Sequence, residues 1–482
     1  MAITSKKLSL SFFWSFLEQG SSSLISLLVQ IVLARVLAPD AFGIMAILLV
    51  VINLVSTISQ SGLGSALIQK KDATETTFST AFWLSLAISA SLYCIIFFCS
   101  PLIEKAYSMP NLTIYLKILG LSVFFDSINS IQRSLLQKEM MFKSLFRANF
   151  LSILIGASVG IFMAFSGFGV WSLIFQTISQ AIIACIILFV QLPWKPSFVF
   201  NLHESKELFG YGWKICFTGI LNTLYTGLSE LVIGKTNTVA ELGYYSQGRK
   251  WPNAAMGAVN NALQNVLFPA LSTLQNDVPA FQAAIRKMLL AGFYITAPIC
   301  CLSAVVTEPL IAILLGESWL PCTLIFQFAC IGYVFLMPQV VNLRAYMALG
   351  YAGLYLKLQI IKVVSGSILF CFVAFVSHNI YIVAAIVLLH TTCCVLFVDM
   401  HPAKKIHGIG TLEQLKIILP VLLLSIFCSC ITSLIHLCSF DYLMELIFQV
   451  LTFSILYLAG SKLFKLPGYK ECKTLLKQFL NK

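Results

Sequence analysis

Three carboxylates stand in stretches otherwise apolar enough to cross a bilayer: Glu18, Asp126 and Glu230. An ionised acid at the midplane of a membrane costs about 2.5 kcal/mol or more, so such a group ordinarily faces a wet cavity or a partner. A carboxyl group whose proton is held by the low dielectric can exchange it, or take up a sodium ion, as a helical bundle rocks. These three residues are the candidates for ion coupling. The competing reading is that each is protonated or paired with a polar neighbour and only fixes packing.

Polar stripes run beside them. Asn53, Thr57, Gln60 and Gly64 recur at three- and four-residue steps, which places them on one face of a helix. Two hundred positions later stand Asn253, Gly257, Asn260 and Gln264. The preceding stretch carries Ser11, Ser15, Glu18, Ser22, Ser26 and Gln30 at the same spacing, and its later members return as Thr218, Asn222, Thr226 and Glu230. The turn between the two segments repeats too. Leu33 to Gly43 lines up with Ile233 to Gly243, and each copy has a base (Arg35, Lys235), then an acid (Asp40, Glu241), then the glycine. A polar stripe at the same place in two copies is read as the lining of a shared cavity.

The bases fall at the mouths of that cavity. Arg133, Lys138, Lys143, Arg147 and Arg344 lie toward one side, and Arg35, Lys235, Arg249 and Lys250 toward the other. Lys362 is the base well inside the second half. An anionic head group such as a pyrophosphate would meet these charges on its way in and out. The candidate substrate-binding set is therefore Gln30, Arg35, Asn53, Gln60, Asn222, Lys235, Arg249, Asn260, Gln264, Arg344 and Lys362. No catalytic residue, metal site or cofactor is expected. The 15 cysteines sit mostly in apolar runs without a CxxC pair, and the six histidines are scattered.

The elements that must position these groups are helices. The chain of 482 residues is 59% hydrophobic and 10% charged, against roughly 25% charged in a soluble domain. Apolar runs long enough to span a bilayer recur, and the alternation of a membrane β-barrel does not. The expected fold is an all-α polytopic membrane protein with fourteen spans near 9–34, 41–66, 78–100, 112–133, 148–166, 169–192, 210–233, 252–274, 288–307, 320–343, 354–376, 380–398, 415–437 and 442–461. With loops numbered from a cytoplasmic start, only Arg35, Lys105, Lys117, Lys235, Arg249 and Lys250 of the 31 bases fall outside. That bias predicts both termini inside, and it accounts for the net charge of +12 without nucleic acid. The 200-residue repeat makes two parallel six-helix lobes, 1–200 and 201–405, followed by 406–482 with two extra helices and a basic cytoplasmic tail.

These residues carry a family resemblance. Leu33 to Gly43, Gln60 to Gly64 with Ile68 to Lys71, Gly243 to Arg249, Leu267 to Ser272 and Leu314 to Trp319 follow one another as in the Wzx-type polysaccharide and O-antigen flippases. The chain resembles the colanic-acid and teichuronic-acid exporter branch of these lipopolysaccharide biosynthesis proteins, within the multidrug/oligosaccharidyl-lipid/polysaccharide exporter superfamily. The resemblance implies two six-helix lobes forming a V, plus two extra helices. It also implies alternating-access export of a polyprenyl-diphosphate-linked oligosaccharide across the bacterial cytoplasmic membrane, coupled to a proton or sodium ion. The expected partners are that lipid-linked substrate and membrane lipids, with the chain acting as a monomer. A drug/cation antiporter of the same fold would have a smaller, more aromatic and acidic cavity. A peptidoglycan-precursor flippase is hard to separate by sequence. A membrane-embedded polymerase or glycosyltransferase would need a sizeable outer loop or a carboxylate cluster with metal spacing, and the chain has neither.

Overall fold

The computed structural model describes residues 5–471 apart from 71, 193, 439 and 470. Within helices it leaves out the side chains of residues 5–13, 15–19, 61, 211, 214, 258, 261–266, 268, 269 and 352. Among the described residues every regular element is helical. The first half holds α1 (Ser5–Val36), α2 (Pro39–Gln69), α3 (Glu75–Tyr107), α4 (Leu112–Leu119), α5 (Ser122–Lys138), α6 (Phe142–Phe165) and α7 (Val170–Gln191). Next come α8 (Leu202–Thr236), α9 (Val239–Thr273), α10 (Val278–Val305), α11 (Thr307–Leu314), a 3-10 turn (Glu317–Cys322), α12 (Thr323–Tyr333) and α13 (Leu336–Ala348). Then follow α14 (Ala352–Ser377), α15 (Ile380–Cys393), a π-helical turn (Cys394–Asp399), α16 (Ala403–His407), α17 (Thr411–Ser433) and α18 (Tyr442–Leu463).

Eleven helical stretches among the described residues are long and apolar enough to cross a membrane, or twelve when one bent pair counts as a single span. That is fewer than the fourteen expected, with α1 and α9 not among them. In α1 the described apolar stretch is Gly20–Val36, and the side chains of 5–13 and 15–19 lie outside the described residues. α9 carries Glu241, Gln247, Arg249, Lys250, Asn253 and Asn260, which dilute its apolar content.

Several spans differ from their expected outlines. α8 begins at Leu202, well before 210, because the Asn201 side chain accepts hydrogen bonds from the amides of His203 and Glu204 and caps the helix there. The span expected at 112–133 breaks into α4 and α5 at Gly120–Leu121. α12 and α13 bend by 42° where the chain passes from Tyr333 to Leu336. The span expected to end at 398 closes in the π turn, which draws Asp399 fully into the packed interior.

The chain divides into two compact units, Met1–Gly243 and Tyr244–Lys482. In the first, α1 packs on α6, α6 on α7, and α2 on both α5 and α8. The first turns of α2 and α9 meet main chain to main chain. A methyl group on Gly43 would overlap the Val239 carbonyl, and one on Gly243 would overlap the Pro39 carbonyl. The two copies of the repeated turn thus contact each other reciprocally, and only glycine allows that approach. Further along, Gly62 and Gly212 bring α2 and α8 into backbone contact again. Small residues at such crossings let helices gain van der Waals contact where lipid supplies no hydrophobic drive. In the second unit α10 packs on α12, α13 and α17, α14 on α15, and α17 on α18. Its core gathers Phe293, Met337, Val341, Ile418 and Phe453.

Candidate functional site

The polar stripe of α2 lines a cavity of about 650 Å³ in the first unit. α2 supplies Asn53, Ser56, Thr57, Gln60 and Ser65, α8 supplies Thr223 and Thr226, and α5 supplies Asp126, Ser130, Ser134 and Gln137. The α5 residues recur at four-, four- and three-residue steps, so helical geometry alone puts them on one face. Among the described residues Asp126 is thus the carboxylate of a wall made mostly of hydroxyls and amides, and no described lysine or arginine belongs to that lining. Thr57 and Thr223 exchange a hydroxyl hydrogen bond of 3.1 Å, which ties α2 to α8 at mid-height. Such a surface offers many donors and acceptors to a neutral polyol and one ionisable group to a cation.

The other sequence candidates take up varied positions. Asn53 and Gln60 share the cavity with Asp126. Asn222 is exposed on α8, and its carbonyl accepts from Thr226 at 3.0 Å. Gln30 is half-buried on α1, and Arg35 is exposed at its end. Lys235 donates to the carbonyl of Ala106 and so joins the ends of α8 and α3. Glu230 is half-buried and accepts from Ser229 at 3.1 Å. Glu18 and Gln264 lie outside the described side chains.

The second unit has its own pocket of about 160 Å³, where α9, α12, α13 and α15 converge. Arg249, Asn253, Tyr333, Gln339 and Thr391 line it, among apolar neighbours. The Arg249 guanidinium lies 5.3 Å from the centre of the Tyr245 ring and donates to its hydroxyl at 3.4 Å. Tyr333 donates its hydroxyl to Asn253. Asn260 is half-buried further along α9. Arg344 is half-buried on α13 and contacts the Met347 sulfur at 3.5 Å.

Lys362 does not line this pocket. It is buried beneath it, 2.9 Å and 3.0 Å from the two carboxylate oxygens of Asp399. Gln339, which does line the pocket, donates to the same carboxylate at 3.1 Å, and Tyr346 donates to the Asp399 carbonyl at 2.6 Å. Asp399 is the functional-site candidate that sequence reasoning missed. It stands one residue past the expected end of its span, where an acid reads as part of a solvated loop. The Ser130, Ser134 and Gln137 stripe was also missed, although its spacing from Asp126 was open to view.

No group of three or more His, Cys, Asp or Glu among the described residues could hold a metal ion.

Residues 32–324, more than half of the chain, match the family described as polysaccharide biosynthesis protein. The succinoglycan biosynthesis transport protein ExoT of Rhizobium meliloti is 25% identical over 306 residues, covering 64% of this chain and 62% of its own length. The lipopolysaccharide biosynthesis protein WzxC of Escherichia coli is 25% identical over 307 residues, 63% of this chain and 62% of that protein. The teichuronic acid biosynthesis protein TuaB of Bacillus subtilis is 24% identical over 298 residues, 61% of each. The chain thus spans about three fifths of the length of these curated relatives. Among solved structures, the lipid II flippase MurJ in an inward closed conformation superposes with a TM-score of 0.73 at 16% identity, over 94% of this chain and 98% of that one. An inward-facing multidrug resistance MATE family transporter of the MOP superfamily gives 0.61 at 14% identity, over 80% of this chain and 94% of that one. At such identities the likeness is one of fold: a polytopic helical membrane architecture. By the extent of the family match, this chain belongs to the polysaccharide biosynthesis protein family.

Proposed function

We propose that this protein is a transporter, not an enzyme, that flips a polyprenyl-diphosphate-linked oligosaccharide across the bacterial cytoplasmic membrane for surface polysaccharide assembly. The observation that carries the reading is the cavity of about 650 Å³ among apolar spans, walled by hydroxyls and amides. Sugar hydroxyls need donors and acceptors in that density, whereas a lipid tail needs none and stays in the bilayer. Membership of a polysaccharide biosynthesis family, and a relative named as a transport protein, support the same substrate class. In this reading α1 and α9 complete fourteen spans, and the repeat halves 1–200 and 201–405 rock as lobes. Both termini lie inside, and the chain works as a monomer by alternating access. Asp126 is the ion-responsive group of the cavity, taking a proton or a sodium ion, with Glu18 and Glu230 the other candidates.

The test is depletion of the protein followed by mass spectrometry of extracted lipids. The expected outcome is accumulation of a polyprenyl-diphosphate oligosaccharide with loss of the surface polymer. No accumulation, with altered sensitivity to cationic compounds instead, would move the assignment to a drug/cation antiporter.

A further inference from the structure

α2 and α8 run side by side through the first unit, and different chemistry closes the two ends of their seam. At one end the first turn of α9, just past the end of α8, touches the first turn of α2, Gly43 against Val239 and Gly243 against Pro39. At the other end Lys70, the residue after α2, binds two acids of the first turns of α8: Glu204 at 2.5 Å and Glu207 at 2.7 Å. Between the ends lies the polar cavity, whose lining extends to Ile68 and Gln137 near Lys70.

We propose that Lys70 is a binding site for the diphosphate head group of the transported lipid, which Glu204 and Glu207 occupy in its place while the seam is closed. The inference rests on the flippase reading and adds to it a residue and a gate. Lys70 lies at the end of the seam that carries the excess of basic residues, the side from which a lipid-linked precursor made in the cytoplasm would arrive.

Four features support it. Two carboxylates at positions i and i+3 lie on the same face of α8 and present a doubly negative group to one ammonium. That is the charge a diphosphate would bring. The helix end needs nothing from the Lys70 side chain, because Lys138 already donates to the carbonyls of Leu67 and Lys70 and caps α2. The Lys70 ammonium is free to turn to another anion while its main chain stays anchored. The pair is also reachable, since the Glu207 side chain is 54% exposed whereas that of Lys70 is 18% exposed. The Glu207 arm of the pair is half-solvated and therefore weak, and phosphate oxygens accept the same charge-assisted bonds from a lysine that carboxylates do. The hydrogen bonds it donates to Glu204 and Glu207 hold the Lys70 ammonium above its ordinary range, so it stays charged for any incoming anion. Displacing the acids would release the start of α8 from the end of α2 and open that end of the cavity.

The test measures binding of farnesyl diphosphate to the full chain in phosphatidylcholine nanodiscs. Lys70→Gln should weaken binding about tenfold, the effect of one lost charge-assisted hydrogen bond. The double variant Glu204→Gln/Glu207→Gln should tighten it severalfold. A merely structural ion pair predicts no such opposite signs, because both changes would break the same contact. Thermal unfolding of each variant, with Lys70→Arg retaining binding, separates the effect from misfolding. Equal binding in the wild type and the double variant would overturn the proposal. So would inorganic pyrophosphate binding as tightly as the prenyl compound, or phosphatidylglycerol in the nanodisc abolishing the difference. Those results would assign the site to free diphosphate or to ordinary headgroups. Absence of diphosphate binding in every variant overturns the site, while accumulation of the lipid-linked oligosaccharide on depletion would leave the flippase reading standing.

Discussion

Asn53 and Asn253 occupy the same place in the two copies of the repeat, and each lines a cavity in its own unit. The cavities differ in everything else. Around Asn53 the wall is hydroxyl and amide with one carboxylate, Asp126, and the volume is about 650 Å³. Around Asn253 the pocket is about 160 Å³, mostly apolar, with Arg249 in its wall and the Lys362–Asp399 pair below Gln339. The repeat keeps the positions that face inward and lets the charge diverge. One half presents an acid to its cavity, and the other presents a base and neutralises its own acid internally. A polar stripe repeated in sequence therefore predicts where a lining is, and the helices packed against it decide what that lining can bind.

The largest effect should come from unbalancing the second unit. Lys362→Met leaves the fully buried Asp399 carboxylate with a neutral donor, Gln339, in place of its cation, and removing one partner of a buried pair typically costs about 3–5 kcal/mol. The double variant Lys362→Met/Asp399→Leu should regain most of that stability, since it leaves no buried charge. Thermal unfolding of the purified chain checks both. A single variant as stable as the wild type would show that Asp399 is not held charged by Lys362. In the first unit the corresponding change is functional. Asp126→Asn should leave unfolding unchanged and lower polymer export about tenfold, the scale of a charge interaction of about 1.4 kcal/mol. Arg249→Gln should lower export less. Equal losses in the two variants would erase the distinction between the cavities.

Much of this was open to inspection in the sequence, and the rest was hidden for local reasons. The polytopic helical fold follows from composition and run length, which a bilayer turns into structure almost directly. The α2 stripe and Asp126 came from helical periodicity and from the cost of an acid at membrane depth. The meeting of Asp126 with that stripe depends on α5 packing against α2, a tertiary fact with no local signature. Asp399 was hidden because a π turn of six residues, Cys394–Asp399, carries it inward where an ordinary helix end would leave it in the loop. Lys362, read as a substrate contact, takes its neighbours from that same turn. The reciprocal contact of Gly43 and Gly243 was written in the repeat as two aligned glycines, but alignment alone does not say that the two copies touch.

A smaller effect belongs to the Thr57–Thr223 hydrogen bond at mid-seam. Polar pairs between membrane helices average about 0.6 kcal/mol in double-mutant cycles, so the Thr57→Val and Thr223→Val variants should couple by about that much. A coupling near zero would mean that the two hydroxyls prefer water in the cavity to each other.

The smallest effect, and the one that separates the two ends of the seam, is pH. The glycine contact is main chain to main chain, but Glu241 accepts from the Thr238 amide and hydroxyl in the same turn. The non-responding reference is therefore the start of α2 just past Gly43, residues 45–50, which carry no titratable side chain. At the other end Lys70 holds Glu207 below its ordinary pKa of 4.5, while Glu204 and Glu207 hold Lys70 above its ordinary 10.5. A depressed carboxylate contributes fully above its ordinary pKa and loses that contribution as pH falls through the lower folded value. A raised ammonium contributes fully below its ordinary pKa and loses that contribution as pH rises through the higher folded value. The latch should therefore be constant across neutral pH and loosen only in strong acid or strong base. Hydrogen exchange of the amides of residues 202–208, corrected for intrinsic rates, reads this directly, with residues 45–50 as the reference. Acid should lower protection in the first segment and leave the second unchanged, and Glu207→Gln should reduce that acid response. A response centred near neutral pH, unchanged by Glu207→Gln, would show that the Lys70–Glu207 ion pair is not what holds the start of α8.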